Sequence, residues 1–467
     1  MKKTIWMLIT LCAVLEMVGC IDENTIVEDE NIKVELTDLE NKVLNHIKAF
    51  AMEVSDGEPS RATGDIMNVI NINKKTISIS LNKNNQSSRS VDGNTTVDIY
   101  TVEFEKGGQR GFSIATDDER IKNNVFAYIE KGSVRDTSFN EGLRLFLSSI
   151  PYTCQAELEE CNTHMARGGG YIVLNMIVKD FVGLEWDQWK PFNDFCPSCP
   201  ELANIASTGG HTSVGCGAIA VAQTVAYYGN LGLASGSWPY NEIVSNPFPI
   251  SSSESELVAK FTYEVAKYCG TVFGCEHSLT DLTHCRYALN HYGITHTFHD
   301  GNLNDEATWN AISKKNIVIA SGHEKGKKVG HIWIYTGARA YVRKDNQKLD
   351  RLNALYVNWG QNLGVDNGWV SNPRWEYYIN KEKKTVSVDG KQEEVYTPFV
   401  MMTGMILPNE TFSNVTIDNG KIISDGNKNI VVGFGMPGMK ESLNLDESKT
   451  EDLTIPESLC VEADVTD

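Results

Sequence analysis

The sequence lacks an excess of basic residues and, after about its first twenty positions, any long apolar run. Its 42 Lys and Arg stand against 61 Asp and Glu, for a formal charge of −19 over 467 residues. Phosphate backbones select the opposite charge, so we expect no nucleic-acid partner. The missing apolar run excludes a membrane-spanning helix downstream of the N-terminus. The length predicts two or three domains, and 41% hydrophobic residues suffice for sizeable cores.

The N-terminus carries an expected export signal. Residues 1–3 are basic, and residues 5–15 form an apolar run too short for an ordinary span. Residues 1–19 resemble a bacterial lipoprotein signal, in which the peptidase cuts before Cys20 and that cysteine receives the lipid. A plain secretory signal with a nearby cut is the alternative. Both predict secretion across the inner membrane, and the first adds a lipid anchor at the outer membrane or cell surface.

The eleven cysteines are expected to be partly paired in an oxidising compartment. Cys154 and Cys161 can close a small local loop. Cys196 and Cys199 form a single CxxC, which without a second pair is weak evidence for zinc and fits a short disulfide better. An odd set of seven remains outside the signal, the lipid anchor and the Cys154–Cys161 pair, so at least one thiol stays free; the set is Cys196, Cys199, Cys216, Cys269, Cys275, Cys285 and Cys460.

Five histidines cluster at positions 277, 284, 291, 296 and 299, with Cys285 among them. The seven-residue spacing of the first three predicts one helix face. Zinc ligands come at tighter spacing with sulfur or carboxylate partners that this segment lacks, so we expect an exposed helix face and no metal.

Residues 21–167 are expected to form a separate N-terminal unit without a catalytic constellation. Hydrophobic periodicity predicts a helix at 35–52, a hairpin of 96–104 with 111–115, a strand at 125–132 and a helix at 141–150. A glycine-rich break follows Arg167. It is either an ordinary linker or a processing site.

The segment 211–223 carries the strongest chemical signal. A glycine-bearing turn leads into an apolar run of small residues, which predicts a buried helix with Cys216 in its first turn. Unpaired N–H groups and the dipole of such a helix lower a thiol pKa below its free value of ~8.5 and can hold an oxyanion. The alternative is a structural cysteine at the start of a core helix.

Two further polar positions suit a thiol nucleophile. His331 opens an apolar strand at 332–337 after a polar loop, which suits a general base. His323 competes for this role but is expected within the Lys-rich loop. A later strand ends in Asn358 and Trp359, where the Asn carbonyl can orient an imidazole and the indole can shield that hydrogen bond. Cys, His and Asn follow one another as in papain-like proteases.

Gln188 completes the set. It stands between two tryptophans, where its amide N–H can donate to an oxyanion; the alternative is a surface glutamine.

Four segments together carry a family resemblance: 186–193, 211–218, 330–337 and 357–360. Residues 168–408 resemble the streptopain family of secreted bacterial cysteine proteases, and residues 21–167 resemble its propeptide. The signal resembles the versions in Bacteroides-type bacteria. The resemblance implies an α+β papain-like catalytic domain with these site residues: Cys216 as nucleophile, His331 as base, Gln188 as oxyanion donor, and Asn358 with Trp359 as supports of His331.

The resemblance also implies an organisation and an activity. Residues 1–19 are the signal, 20–167 an inhibitory α+β propeptide, 168–408 the catalytic domain and 409–467 an acidic, partly disordered extension. The implied enzyme is a zymogen cut near Arg167 that hydrolyses protein or peptide substrates, with an apolar residue preceding the one cleaved. It needs a reduced thiol and no metal or organic cofactor.

Two other functions stay open: a cysteine hydrolase of cell-wall peptides, and a catalytically inactive surface-binding lipoprotein. The sequence also departs from the family after Gly360, where Gln361 replaces a second tryptophan. We expect that change to alter the cleft wall and hence the specificity.

Overall fold

The structure of the protein is a computed structural model that describes most of the chain between residues 37 and 424. The described residues are 37–54, 67–81, 94–134, 140–164, 173–300, 304–324, 330–344, 346, 348–372, 385–388, 391–394, 400–408, 415–418 and 421–424. The expected signal at 1–19, Cys20, the junction at Arg167 and the acidic end of the extension lie outside these ranges and stay predictions. No described helix combines the length and apolar character needed to cross a bilayer.

Among its described residues, the N-terminal part contains two helices and four strands: α1 (Asp38–Val54), β1 (Asn68–Ser80), β2 (Asn94–Lys106), β3 (Gln109–Thr116), β4 (Val125–Ile129) and α2 (Glu141–His164). α1 buries an apolar stripe that includes Val43, Ile47 and Phe50. β2 and β3 form a hairpin over Gly107 and Gly108, whose positive φ angles suit glycine. The predicted first helix, hairpin and third strand are confirmed.

α2 is longer than the predicted helix at 141–150. It continues past Pro151 because its later turns still bury apolar side chains such as Cys154 and Leu158. Cys154 and Cys161 both have free thiols, so the expected local loop between them is wrong. Seven helical residues separate them by about 10 Å along the axis, which is beyond the reach of a disulfide.

The later part of the chain begins with an edge strand, continues through helices and then returns to strands. Its elements are β5 (Val173–Val178), α3 (Cys216–Asn230), α4 (Tyr240–Ile243), α5 (Ser252–Tyr268), α6 (Leu282–His291), β6 (His296–Asp300), α7 (Asp305–Ile312), β7 (Val318–Glu324), β8 (His331–Arg343), β9 (Leu349–Asn358), β10 (Gly368–Ser371), β11 (Thr385–Val388), β12 (Lys391–Glu394), β13 (Val400–Pro408), β14 (Val415–Asp418) and β15 (Lys421–Ser424). α5 begins with a capping box in which Ser251 and Glu254 satisfy each other's backbone N–H groups.

Both parts contribute to one eleven-stranded antiparallel sheet, in the order β1-β2-β3-β4-β10-β9-β8-β7-β13-β6, with β5 on β8. β4 pairs with β10, so Tyr128 stands opposite Trp369 and Ala127 opposite Val370. Helices and an antiparallel sheet make this an α+β protein. The N-terminal strands therefore continue the sheet that carries His331 and Asn358.

α3 lies in the middle of the later part. It contacts α4, α5 and α6 and packs against β8 of the sheet. Small side chains such as Ala218 and Val221 let these neighbours approach on several sides, and both are fully buried. An all-round apolar helix is stable only when it is enclosed in this way. Because α3 is held in this way, the position of its first residue, Cys216, is fixed.

The cysteine pairing differs from the expected short bridge. Cys199 is bonded to Cys275, across 76 residues, with a Cα–Cα distance of 5.8 Å. Cys196 keeps a free, buried thiol. The CxxC disulfide is therefore wrong, because the loop between α5 and α6 folds back and brings Cys275 to Cys199.

The histidines do not share one helix face. His284 and His291 lie exposed on α6, whereas His277 precedes that helix and His296 and His299 lie on β6. Within the described ranges, the one group of three candidate metal ligands within 4.8 Å is Cys199, Glu201 and Cys275. Its two sulfurs are already bonded to each other.

Candidate active site

Cys216 is the first residue of α3, as predicted. The preceding Gly215 has φ 95°, a conformation that favours glycine, and a Cβ there would lie 3.2 Å from the carbonyl of Ser278. Gly215 has no side chain with which to cap the helix, and no side-chain cap is present. The first N–H groups of α3 thus remain open to other acceptors.

Cys216 is half-buried, and its thiol is neutral. Burial raises its pKa to about 12, and the nearby Glu141 and Cys285 act in the same direction. Backbone N–H groups of Ile332 and Gly217 donate to the sulfur and oppose this shift. The expected lowering of the pKa is therefore wrong for this conformation, because burial outweighs the helix N-terminus.

His331 is the first residue of β8 and is also buried. Its Nε2 lies 2.7 Å from the carbonyl oxygen of Trp359 and must donate to it, which leaves Nδ1 as the acceptor of the neutral ring. Burial lowers the pKa of His331 to about 4. In the described part of the chain, no hydrogen bond joins this imidazole to Cys216.

His323, the competing histidine, lies on β7 rather than in the loop that follows it. Burial lowers its pKa. A Cβ on Gly330 would lie 2.7 Å from its Cβ, so His323 lies beside the residue that precedes His331.

Trp359 supports His331 through its backbone as well as its ring. The carbonyl binds Nε2, and the indole packs at 5.6 Å between centroids against Trp333, which itself stacks on His331. The indole N–H donates to the carbonyl of Asp366 at 3.1 Å. Asn367 accepts the Trp359 backbone N–H at 3.0 Å. The ring that stacks on His331 is therefore that of Trp333, and the shielding of an Asn358 hydrogen bond by Trp359 stays a prediction.

Asn358 does not bind His331 directly. Its Nδ2 donates to the carbonyl of Leu184 at 2.6 Å and to Oε1 of Gln223 at 2.7 Å. Its Oδ1 accepts the Gly360 N–H at 3.0 Å. The orientation expected from the Asn358 carbonyl is supplied instead by the carbonyl of Trp359, because the Asn358 side chain points toward α3.

Gln188 lies beside the segment that leads to Cys216. Its carbonyl accepts the Val214 N–H at 2.9 Å, two residues before the thiol. The side chain is 8% exposed, so it is not the surface glutamine of the alternative. Asp187 fixes this turn, accepting the Gln188 N–H at 2.5 Å through one oxygen and the Leu363 N–H at 3.1 Å through the other.

The four motif segments are linked in series by three contacts. Segment 186–193 meets 211–218 through Gln188 and Val214, and the sulfur of Cys216 accepts the N–H of Ile332 in segment 330–337. His331 then binds the carbonyl of Trp359 in segment 357–360. Residues distant in sequence are therefore gathered around one thiol and one imidazole.

The start of α2 covers this site. A Cβ on Gly142 would lie 2.3 Å from the indole of Trp359 and 2.6 Å from Cδ2 of His331, so only glycine fits against them. The Glu141 N–H donates to Oε1 of Gln361 at 2.9 Å. Asn140 caps the helix by accepting the Leu143 N–H at 2.9 Å. The end of an N-terminal helix thus occupies the space beside the imidazole.

Sequence reasoning missed the two residues that complete this arrangement. Gln223 is a polar side chain inside the apolar run of α3, seven residues after Cys216, and that interruption was a usable signal. Gly142 has no comparable signal, because its importance arises from which residues it touches. No protein-family model matches the chain, and a search of curated proteins finds no match either.

Proposed function

We propose that the protein is a cysteine endopeptidase, made as a zymogen, with the papain-like arrangement and motif order of the streptopain family. One observation carries this proposal: contacts link in series the four segments that bear Gln188, Cys216, His331 and Trp359. A structural cysteine at a helix start needs none of these partners. The start of α2 over the imidazole supports latency, since it is part of the segment that resembles a propeptide.

The proposed reaction uses Nδ1 of His331, the nitrogen that does not bind Trp359. Nδ1 takes the thiol proton, and the Cys216 thiolate attacks a peptide carbonyl carbon. The N–H of Cys216 and the Gln188 amide hold the resulting oxyanion. Collapse of this intermediate breaks the C–N bond, and the amine leaves with the proton from His331. Water then hydrolyses the thioester and restores the thiol.

Latency follows from the charge states of the covered site. A thiol with a pKa of about 12 and an imidazole with a pKa of about 4 are both neutral near pH 7. Neither an active thiolate nor an imidazolium is then present. Withdrawal of α2 admits water beside both groups, which moves each pKa back toward its ordinary value. Cleavage near Arg167 would allow that withdrawal, and lipidation of Cys20 would hold the enzyme at the membrane.

The test expresses residues 21–467 as wild type, as Cys216→Ser and as Cys161→Ser, a matched loss of a free thiol on α2. Wild type and Cys161→Ser should cut near Arg167 and release fluorescence from a quenched peptide or label from casein. Cys216→Ser should do neither. Equal behaviour of wild type and Cys216→Ser would exclude the proposal.

The same proteins separate the other two functions. Release of peptides from purified peptidoglycan without cleavage of casein would indicate a cell-wall hydrolase. An inactive surface-binding protein should show no reaction of Cys216 with iodoacetamide at neutral pH after the N-terminal part is removed.

A further inference from the structure

The side chain of Gln223 is a fully buried amide on the same helix as the candidate nucleophile. Seven residues after Cys216 place it two turns, about 10 Å, along α3. Its Oε1 accepts from Nδ2 of Asn358 at 2.7 Å, and its Nε2 donates to Oδ1 of Asn358 at 3.4 Å. Among the described residues, Asn358 is its polar partner at both ends.

This pairing fixes the rotation of the Asn358 amide. The two N–H groups of Nδ2 go to Gln223 and Leu184, and Oδ1 accepts from Gly360 and Gln223. Every donor and acceptor position of Asn358 is therefore used. A flipped amide would face donors with donors, which is costly in a buried site.

The peptide unit between Trp359 and Gly360 links this amide to the imidazole. Its N–H donates to Oδ1 of Asn358 at 3.0 Å, and its carbonyl accepts from Nε2 of His331 at 2.7 Å. Because a peptide unit is planar and rigid, holding its N–H also holds its carbonyl. A Cβ on Gly360 would lie 2.9 Å from Cγ2 of Ile219, so the same turn is pressed onto α3.

We propose that Gln223 is a positioning residue that sets the tautomer and orientation of His331 through Asn358 and the 359–360 peptide. This inference rests on the proposed function for its catalytic meaning, although its structural content does not. The path runs from the helix that carries the thiol to the imidazole that would deprotonate it. α3 thus presents the nucleophile at one end and orients the base two turns later.

The first experiment measures His331 directly, in full-length Cys216→Ser protein labelled with ¹⁵N-histidine. Long-range ¹H–¹⁵N spectra report which ring nitrogen carries the proton, and an added His331→Ala substitution identifies the signal among ten histidines. His331 should be the Nε2–H tautomer. With Gln223→Leu added, it should become a mixture of tautomers. Thr224→Val is the matched control, because Thr224 is equally buried and its hydroxyl donates within α3, to the carbonyl of Ala220.

The second experiment measures catalysis in otherwise wild-type chains. Gln223→Leu should lower kcat about tenfold with KM changed less than twofold, since a fraction of the imidazole is misoriented. Gln223→Glu keeps the shape of the side chain and, while its carboxyl is protonated, a hydrogen-bond donor. Its kcat relative to wild type should be near one in acid and fall as the pH rises and the buried carboxyl ionises.

The outcomes are distinguishable. An unchanged His331 tautomer in both Gln223→Leu and Gln223→Glu overturns the inference, whatever the enzyme does. A changed tautomer in a protein that cleaves no peptide supports the positioning role and refutes the proposed function. If Gln223→Leu does not fold, Gln223→Glu is used in both experiments, and the pH dependence of its His331 tautomer and of its kcat decides.

Discussion

Two helices begin at the candidate site, and their first turns are built differently. α2 starts with side-chain caps: Asn140 accepts one N–H and Gln361 another. α3 starts at Gly215 without a side-chain cap. The first arrangement satisfies the backbone of a helix packed against the site. The second leaves N–H groups beside Cys216 without a side-chain cap, and the proposed mechanism uses them to hold the oxyanion.

The two starts also differ in how firmly they are held. The loop that packs on α3 is tied by the Cys199–Cys275 disulfide, and its Ser278 donates to the carbonyl of Ser213. The start of α2 is held by close packing of Gly142 and by the hydrogen bond to Gln361. We infer that α2, and not the loop that packs on α3, is the element that leaves the site. Four predictions test this difference.

The largest effect is expected from the disulfide. Replacing Cys199 and Cys275 together by Ser should lower the free energy of unfolding by about 4 kcal/mol, because a loop of 76 residues is no longer closed in the unfolded chain. Urea titration of wild type with and without dithiothreitol should reproduce the change, and the variant should not respond to the reductant. A non-reducing peptide map that joins Cys196 to Cys199 would contradict the pairing.

Acid should weaken the packing of α2 over the candidate site. The pKa of His331 is about 4 with α2 in place, against an ordinary value of about 6.5. The state in which α2 has left the site therefore binds a proton more readily. The packing of α2 over the site is accordingly fully stable above pH 6.5 and loses up to about 3 kcal/mol of stability as the pH falls to 4. Hydrogen exchange of the first amides of α2 in Cys216→Ser protein measures this.

The control for this pH dependence is His331→Gln in the same background. It removes the titrating ring but keeps a polar side chain beside Trp359. Exchange that accelerates in acid to the same extent in both proteins would assign the effect to other groups. Glu141, the α2 carboxylate whose charge acts on Cys216, should be tested with it as Glu141→Gln.

A side chain at position 142 should open the site at neutral pH. Gly142→Leu places atoms where the indole of Trp359 and the ring of His331 already lie, and such overpacking costs about 2 kcal/mol. Iodoacetamide should then label Cys216 of the full chain about 30-fold faster, measured on its tryptic peptide. Ser148→Ala, also on α2, removes a hydroxyl that donates to the Leu145 carbonyl of the same helix, and it should label at the wild-type rate. Equal rates for the two variants would remove α2 as the cover.

The smallest effect is expected at Gln361. Gln361→Ala removes the acceptor of the Glu141 N–H and should destabilise the start of α2 by about 1 kcal/mol, or about fivefold faster exchange of its first amides. Asn140→Ala, which removes the other cap, should match it in size. The stability of the α3 side, followed by urea titration, should not change with Gln361→Ala.

Much of the local structure could be predicted from patterns in the sequence. The apolar stripe of α1, the Gly107–Gly108 hairpin and the helix that begins at Cys216 follow from periodicity and turn chemistry, which neighbouring residues decide. The order of Cys216, His331 and Asn358 also indicated a thiol site. The disulfide was missed because a bridge across 76 residues depends on how a distant loop folds back.

The sequence by itself determined the candidate nucleophile and base, because their residue types and local contexts carry the chemistry. Only the tertiary structure decided their state. Burial in the folded chain makes both groups neutral, opposite to what a helix N-terminus alone would do for the thiol. Tertiary structure also replaced the Asn358 carbonyl by that of Trp359 as the partner of His331. Electrostatic environment and side-chain direction depend on residues far apart in the chain, so no local pattern could specify them.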